Sequence, residues 1–295
     1  TSPVVGADVP FNTFSSVDLP TPLPPMIPIN SPPFSLKLNL FFDVDFLQKN
    51  KLSMRVLAIG DIHGGLKALI QVLNKIEIKE EDTLIFVGDY VDGWSDSAQV
   101  IQFLMELSEN INCVFIKGNH DVWCEEWLRG ADVNPTWYMH GGKETMESYE
   151  GFSKVDKKQH LEFFKNMPLY FVDDENRLFL HAGFTSMHGV TKEVFETTFY
   201  FDRTLWEMAL TMDKRIEKDS AIYPNRLKHY KEIYIGHTPT INFNYDVPMQ
   251  AINVWNIDTG AAFTGKLSGV DVNTKEVFQS DNLPALYPDE KGRNK

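Results

Sequence analysis

The sequence predicts an α/β fold, and two patterns carry that expectation. Short runs of β-branched and aromatic residues each close on a glycine and a polar residue. Between them lie stretches with apolar residues at three- and four-residue spacing, as expected of helices that cover a sheet. The amount of apolar material agrees: 43% of the 295 residues are hydrophobic and 23% charged, a balance that supports a large core and excludes disorder of the whole chain.

Taken in order, residues 1–53 are the exception. They hold 9 of the 16 prolines, which deny backbone donors and fix φ, so neither a helix nor a central strand runs far. A proline-rich N-terminal extension, extended or poorly ordered, is expected here. An arm that packs its Phe and Ile residues on the domain or on a partner is the other reading, and 38–46 (LNLFFDVDF) reads equally as strand or helix.

The compact domain is expected over 54–295. Within it, 55–61 (RVLAIGD), 83–89 (TLIFVGD) and 112–119 (NCVFIKGN) read as strands separated by helices at 66–76 and 97–107, a βαβαβ unit. Helices are expected at 122–129, 143–149, 158–167 and 204–212. Further strands are expected at 177–183 (RLFLHAG), 232–238 (EIYIGHT) and 252–258 (INVWNID), and a closing hairpin over 269–279 turning at Asn273-Thr274. Residues 291–295 (KGRNK) read as a solvated tail.

Charge and cysteine content narrow the function. With 41 acidic against 28 basic residues the net charge is −13, the wrong sign for gripping nucleic acid or an anionic membrane surface. No apolar run reaches the roughly eighteen residues of a membrane helix. Cys113 and Cys124 are too few and too far apart for a disulfide framework or a CxxC motif, so a reducing, cytoplasmic setting is expected.

In open α/β sheets ligands bind beyond the carboxyl ends of the strands. Those ends hold Asp61, His63, Asp89, Asp92, Asn119, His120, His181 and His237. Singly, each is ordinary: Gly-Asp is a common turn, and a lone histidine is more often core or surface than ligand. Together, five strand ends deliver oxygen or imidazole donors with no lysine or cysteine among them. Such a set suits Mn²⁺, Fe or Zn²⁺ rather than a structural thiolate zinc site. With one bridging carboxylate, six side chains can hold two metals about 3.5–4 Å apart, a hydrolase layout.

The motifs GDIHG (60–64), GDYVDG (88–93), GNHD (118–121), HAG (181–183) and GHT (236–238), in this order and spacing, resemble those of the calcineurin-like metallophosphoesterases. More narrowly they resemble the phosphoprotein phosphatase branch, which includes bacterial Ser/Thr protein phosphatases and symmetrical diadenosine tetraphosphatases. The resemblance runs from about Met54 to Gly265 and implies an α/β/β/α sandwich of two mixed β-sheets flanked by helices. It implies Asp61 and His63 on one metal, Asn119, His181 and His237 on the other, and Asp89 bridging them. Manganese is the expected metal, with iron or zinc as alternatives.

The same resemblance implies direct attack on phosphorus by a water or hydroxide between the metals. His120 would act as general acid, oriented by Asp92. Asn119 and Arg203 would contact the substrate phosphate, and Asp258 would orient a ligand or loop from nearby. Arg203 has a second reading, a helix-start arginine paired with Asp202 or Glu207.

Four features bear on substrate. The arginine that usually follows the second aspartate of GDxVD is replaced by Gly93, so one phosphate-gripping arginine is missing. Trp94 follows, and is expected either to stack on an aromatic leaving group or to pack. Thr238 and Pro239 follow His237, so the additional histidine of broader phosphodiesterase relatives is absent. Trp123 and Trp127 share a helical face, read as core packing or as a substrate wall.

The expected activity is therefore a dimetal phosphatase hydrolysing phosphomonoesters on Ser, Thr or Tyr, with a phosphorylated protein or a small phosphoester as partner. A dinucleoside polyphosphate hydrolase is the alternative, motivated by Gly93 and Trp94, and a catalytically weak binding module is the third.

Overall fold

The computed structural model describes residues 54–294, so the proline-rich segment, with 38–46, and Lys295 lie outside the described residues. Among the described residues ten strands form two mixed sheets of five. β1 (Val56–Ile59), β2 (Thr83–Phe86) and β3 (Asn112–Phe115) run parallel, and β9 (Ser268–Asp271) and β10 (Val277–Gln279) extend that sheet antiparallel from β1, in the order β10-β9-β1-β2-β3. In the second sheet β5 (Arg177–Leu180), β6 (Glu232–Ile235) and β8 (Val254–Asn256) are parallel. It is edged by antiparallel β4 (Tyr170–Val172) and β7 (Met249–Ala251), in the order β4-β5-β6-β8-β7.

The strands' period of two sorts side chains into three layers. In β1, Leu57 and Ile59 face helices Leu66–Ile76 and Ser97–Leu107 in one core, whereas Ala58 faces the other sheet. The middle layer joins Ala58, Ile85, Val87 and Ile116 to Phe179, Tyr234 and Ile257. There Phe179 stacks on Tyr234 and Tyr234 on Trp255, with centroids 5.0 and 6.3 Å apart. Beyond the second sheet, Leu178, Leu180, Ile233 and Val254 pack on Leu205 and Trp206 of helix Thr204–Thr211. This is the α/β/β/α sandwich. Among the described residues no helix is long and apolar enough to cross a membrane.

Helices Leu66–Ile76 and Ser97–Leu107 match the periodicity residue for residue. Others differ for local reasons. The helix expected from 158 begins at Lys154, because Ser153 Oγ accepts from the amides of Val155 and Asp156 while Asp156 returns a bond to Ser153 N, a capping box. The helix expected from 122 begins at Asn119, which puts Asn119, His120 and Asp121 in its first turn. β4 and β7 carry no strand signal of their own; each is a three-residue edge strand defined by its neighbour.

The tail expected to be solvated is pinned at Gly292, which lies on the Trp94 indole, and at Arg293, while Lys291 is exposed; the residues just before it are held as well. Tyr287 stacks on Trp94, Glu290 accepts from Ser95 N and Oγ at 2.9 and 2.7 Å, and Arg293 N donates to Ala262 O at 2.9 Å. Aromatic burial and main-chain pairing outweigh the segment's polar composition.

Candidate metal centre

The parallel strands of both sheets end at one edge, and backbone bonds there fix the loops before any side chain is considered. The amides of Ile62 and His63 both donate to Asp89 O, at 3.0 and 2.9 Å, tying the β1 loop to the β2 loop. Asp121, fully buried, accepts from Gly118 N, Asp89 N and Tyr90 N at 2.8, 2.8 and 2.9 Å. His63, Asp89, Asp92 and His237 all sit at positive φ, between 52° and 74°. Non-glycine residues rarely hold that region unless their surroundings impose it, and such strain concentrates at functional sites.

These constraints aim the donors at one point. Asp89 Oδ1 accepts from His120 N at 3.0 Å, leaving Oδ2 facing His63 Nε2 at 3.6 Å and His181 Nε2 at 3.3 Å. His63 Nδ1 lies 3.1 and 2.9 Å from the carbonyls of Val91 and Asp92, and His181 Nδ1 lies 2.9 Å from Val87 O. With Nδ1 donating to those carbonyls, both Nε2 lone pairs are free to ligate. His181 Nε2 also lies 3.3 Å from Asn119 Oδ1 and 3.2 Å from His237 Nδ1. Asp61 Oδ2 accepts from His237 N at 3.0 Å and lies 4.0 Å from His63 Nε2.

Two clusters result, His63–Asp89–His120 and Asp89–His181–His237, each with ligand atoms within 4.8 Å of one another and with Asp89 common to both. The structure thus brings together all six ligands inferred from the motifs. The first cluster draws on His120 where the motifs draw on Asp61, and both side chains lie there. A cation fits this set. Asp61 Oδ1 and His237 Nε2 are buried without a hydrogen-bond partner, which is costly for polar atoms unless something binds them. Gly236 makes the approach possible, since a Cβ there would collide with Asp61 Oδ1.

The electrostatics describe a site short of positive charge. Burial, then the neighbouring Asp258, pushes Asp61 well above the usual carboxylate range. Burial would also raise Asp89, but the imidazoles of His181 and His120 outweigh it and hold Asp89 well below that range. Burial alone would lower His181; Asp89 reverses this and lifts it to about 10. Burial pushes His63 and His237 down. In the metal-free chain a proton on His181 thus balances the Asp89 carboxylate.

His120 and Asp92 form one unit. Nδ1 and Oδ2 are 2.6 Å apart, and Asp92 also accepts from Trp137 Nε1 and Thr145 Oγ1, both at 2.6 Å. Burial lowers His120 to about 3 and raises Asp92 to about 8, so the pair disfavours separated charge and shares one proton at neutral pH. Asp258 Oδ1 accepts from Gly260 N at 2.9 Å, and burial raises its pKa to about 6.

Arg203 is exposed and donates through Nη1 to Thr238 Oγ1 at 2.8 Å and His237 O at 3.3 Å. Asp202 instead accepts from Thr204 and Leu205 and lies 3.8 Å from Arg226, so it does not serve as Arg203's partner. Trp94 is a correction. It is 0% exposed, donates Nε1–H to Ala261 O at 2.7 Å and stacks on Tyr287 at 5.2 Å, so it is core and offers no face to a leaving group.

An aromatic wall exists elsewhere. Trp123 stands edge-on to His120 at 5.1 Å and lies 5.9 Å from Phe201, which is 6.4 Å from His237. Trp127, by contrast, packs on Trp137 and Tyr149. Sequence reasoning missed the bracing roles of Asp121, Trp137 and Thr145. Only Asp121 carried a signal, an acid at the third position of a helix that opens on a glycine.

Residues 54–265 match the family model for calcineurin-like phosphoesterases. The chain belongs to that family. Among curated relatives it is 30% identical over 240 residues to an asymmetrical bis(5'-nucleosyl)-tetraphosphatase PrpE from Oceanobacillus iheyensis, covering 76% of this chain and 90% of that one. The namesake from Bacillus subtilis is 30% identical over 227 residues, 72% of this chain and 88% of its own. A protein serine/threonine phosphatase from Saccharomyces cerevisiae shares the fold, with a TM-score of 0.53 at 16% identity, covering 82% of this chain and 84% of that chain. As a calcineurin-like phosphoesterase the chain is a metal-dependent hydrolase of phosphoesters.

Proposed function

We propose that this phosphoesterase cleaves the phosphoanhydride of a dinucleoside polyphosphate. The observation that carries the substrate is the similarity, across about nine-tenths of their length, to relatives named for that activity. That similarity supports the reading that the motifs ranked second. The Trp123–Phe201 wall beside His120 supports it, because a nucleobase offers a flat face to such rings.

Bound by Asp61, His63, Asp89, Asn119, His181 and His237, two divalent cations would lower the pKa of water and neutralise charge on phosphoryl oxygens. The chain's own groups do the rest. Arg203 holds a phosphoryl oxygen through a guanidinium with no carboxylate partner among the described residues. His120, held by Asp92, delivers the proton to the departing oxygen, and the bonds from Trp137 and Thr145 keep Asp92 in place. Manganese is the metal proposed, with iron or zinc accepted by the same donors.

Phosphomonoester hydrolysis on a protein is the second reading, favoured by the exposure of Arg203, which an extended substrate could reach. Specificity constants for diadenosine tetraphosphate, a phosphopeptide and nitrophenyl phosphate separate the two. A preference of about tenfold or more for the dinucleotide is expected; a preference for the phosphopeptide restores the phosphatase reading.

A further inference from the structure

The departure at Gly93 has a structural counterpart in Arg293. Gly93 has φ of +129°, and a Cβ built on it would stand 3.3 Å from Arg293 Cγ and 3.3 Å from His63 O. Glycine therefore leaves the room that the arginine stem occupies. The backbone delivers that stem: Arg293 N bonds Ala262 O, and Gly292 lies so close on the Trp94 indole that a Cβ would meet Cζ2 at 2.6 Å. Trp94, expected to meet substrate, instead supports the segment that carries Arg293.

The guanidinium is unusually free for a partly buried cation. Among the described residues it has no carboxylate partner, its Nε is buried without a hydrogen bond, and its Cζ lies 5.2 Å from the Phe263 ring centroid. Its stem lies against Gly93, and the same point on Gly93 stands 3.3 Å from the carbonyl and 3.6 Å from the Cβ of His63, an inferred metal ligand, so the arginine borders the loop that carries the metal centre. A buried donor nitrogen with no acceptor is costly, and an anion bound to the guanidinium removes that cost.

We propose that Arg293 binds the substrate phosphate, supplying from late in the chain the guanidinium missing at position 93 and gripping phosphoryl oxygens together with Arg203. The inference rests on the phosphohydrolase reading above. A planar fork suits two phosphate oxygens, and an arginine fixed through Trp94 and Ala262 arrives already positioned.

Calorimetry of inorganic phosphate binding to manganese-loaded wild-type and Arg293→Ala proteins tests it, with metal content and Tm measured on each. The variant is expected to lose about 10- to 100-fold in phosphate affinity, with a matching rise in KM and unchanged metal content. Added guanidinium at low millimolar concentration should restore binding to the variant and leave wild type unaffected, which a packing role would not produce. Should truncation unfold the tail, Arg293→Gln keeps the stem and carries the same outcomes. Affinity within about twofold of wild type, in a preparation whose wild type binds phosphate and turns over, overturns the assignment and leaves the phosphohydrolase reading standing. A metal-loaded wild type that neither binds phosphate nor hydrolyses any phosphoester overturns both.

Discussion

At the floor of the site Asp61, His63, Asp89, Asn119 and His181 are each at most 4% exposed, and backbone bonds hold the loops that carry them. At the rim Phe201 is 44% exposed, Arg203 is exposed, Trp123 is half-buried, and Arg293 reaches in from a segment anchored on Trp94. The floor is built from residues that follow strands directly, so its geometry is inherited from the sheets. The rim joins segments distant in sequence, so it can change without disturbing the floor. Metal chemistry should therefore depend on the floor and substrate choice on the rim.

The largest effect that would break this division lies at the boundary between them. His120→Asn and Asp92→Asn are each expected to lower kcat about 10²- to 10⁴-fold while metal content and fold are retained. Loss of metal from either variant, seen by elemental analysis, would move His120 from proton transfer to the ligand set.

A second effect belongs to the floor alone. His181 is lifted to about 10, mainly by Asp89 against the pull of burial, so below that pH a cation must displace its proton. Manganese affinity should rise with pH, by up to about tenfold per unit between pH 6 and 8. In the metal-free chain the sign is opposite. The His181–Asp89 pair stabilises fully below the unfolded imidazole's range and is lost as pH rises through about 10. Calorimetric metal titrations at several pH values check the first statement, and metal-free Tm against pH the second; flat profiles in both would remove the pair from the account.

The smallest effect sharpens the rim. Trp123→Ala is expected to raise KM for diadenosine tetraphosphate several-fold, roughly 1 kcal/mol, with little change for inorganic phosphate. Equal losses on both would mean that Trp123 positions His120 rather than the substrate.

The same division explains what could be read from the sequence. Asp61, Asp89, His181 and His237 each follow a strand and adjoin or lie near a glycine, so strand-end position and local motif disclosed the floor. The strand pattern likewise disclosed the parallel strands β1, β2, β3, β5, β6 and β8, and the resemblance their division into two sheets, while β4 and β7 were hidden because a three-residue edge strand depends on its partner. Trp94 read as a substrate contact or as packing because no local residue decides between them; Tyr287 and Gly292, which cover it, come from the far end of the chain. Arg293 looked solvated for the same reason. Trp137 and Thr145 reach Asp92 only through tertiary packing, and no local pattern marks them.

The central claim is that Asp89 joins two cation positions into one hydrolytic site. Manganese titrated into chelator-treated protein, with turnover of diadenosine tetraphosphate and bound metal followed together, tests it directly. Turnover should saturate near two equivalents per chain, and Asp89→Asn should fall about a thousandfold or more with reduced metal content. Full turnover at one equivalent or none, or wild-type turnover in Asp89→Asn, would contradict it.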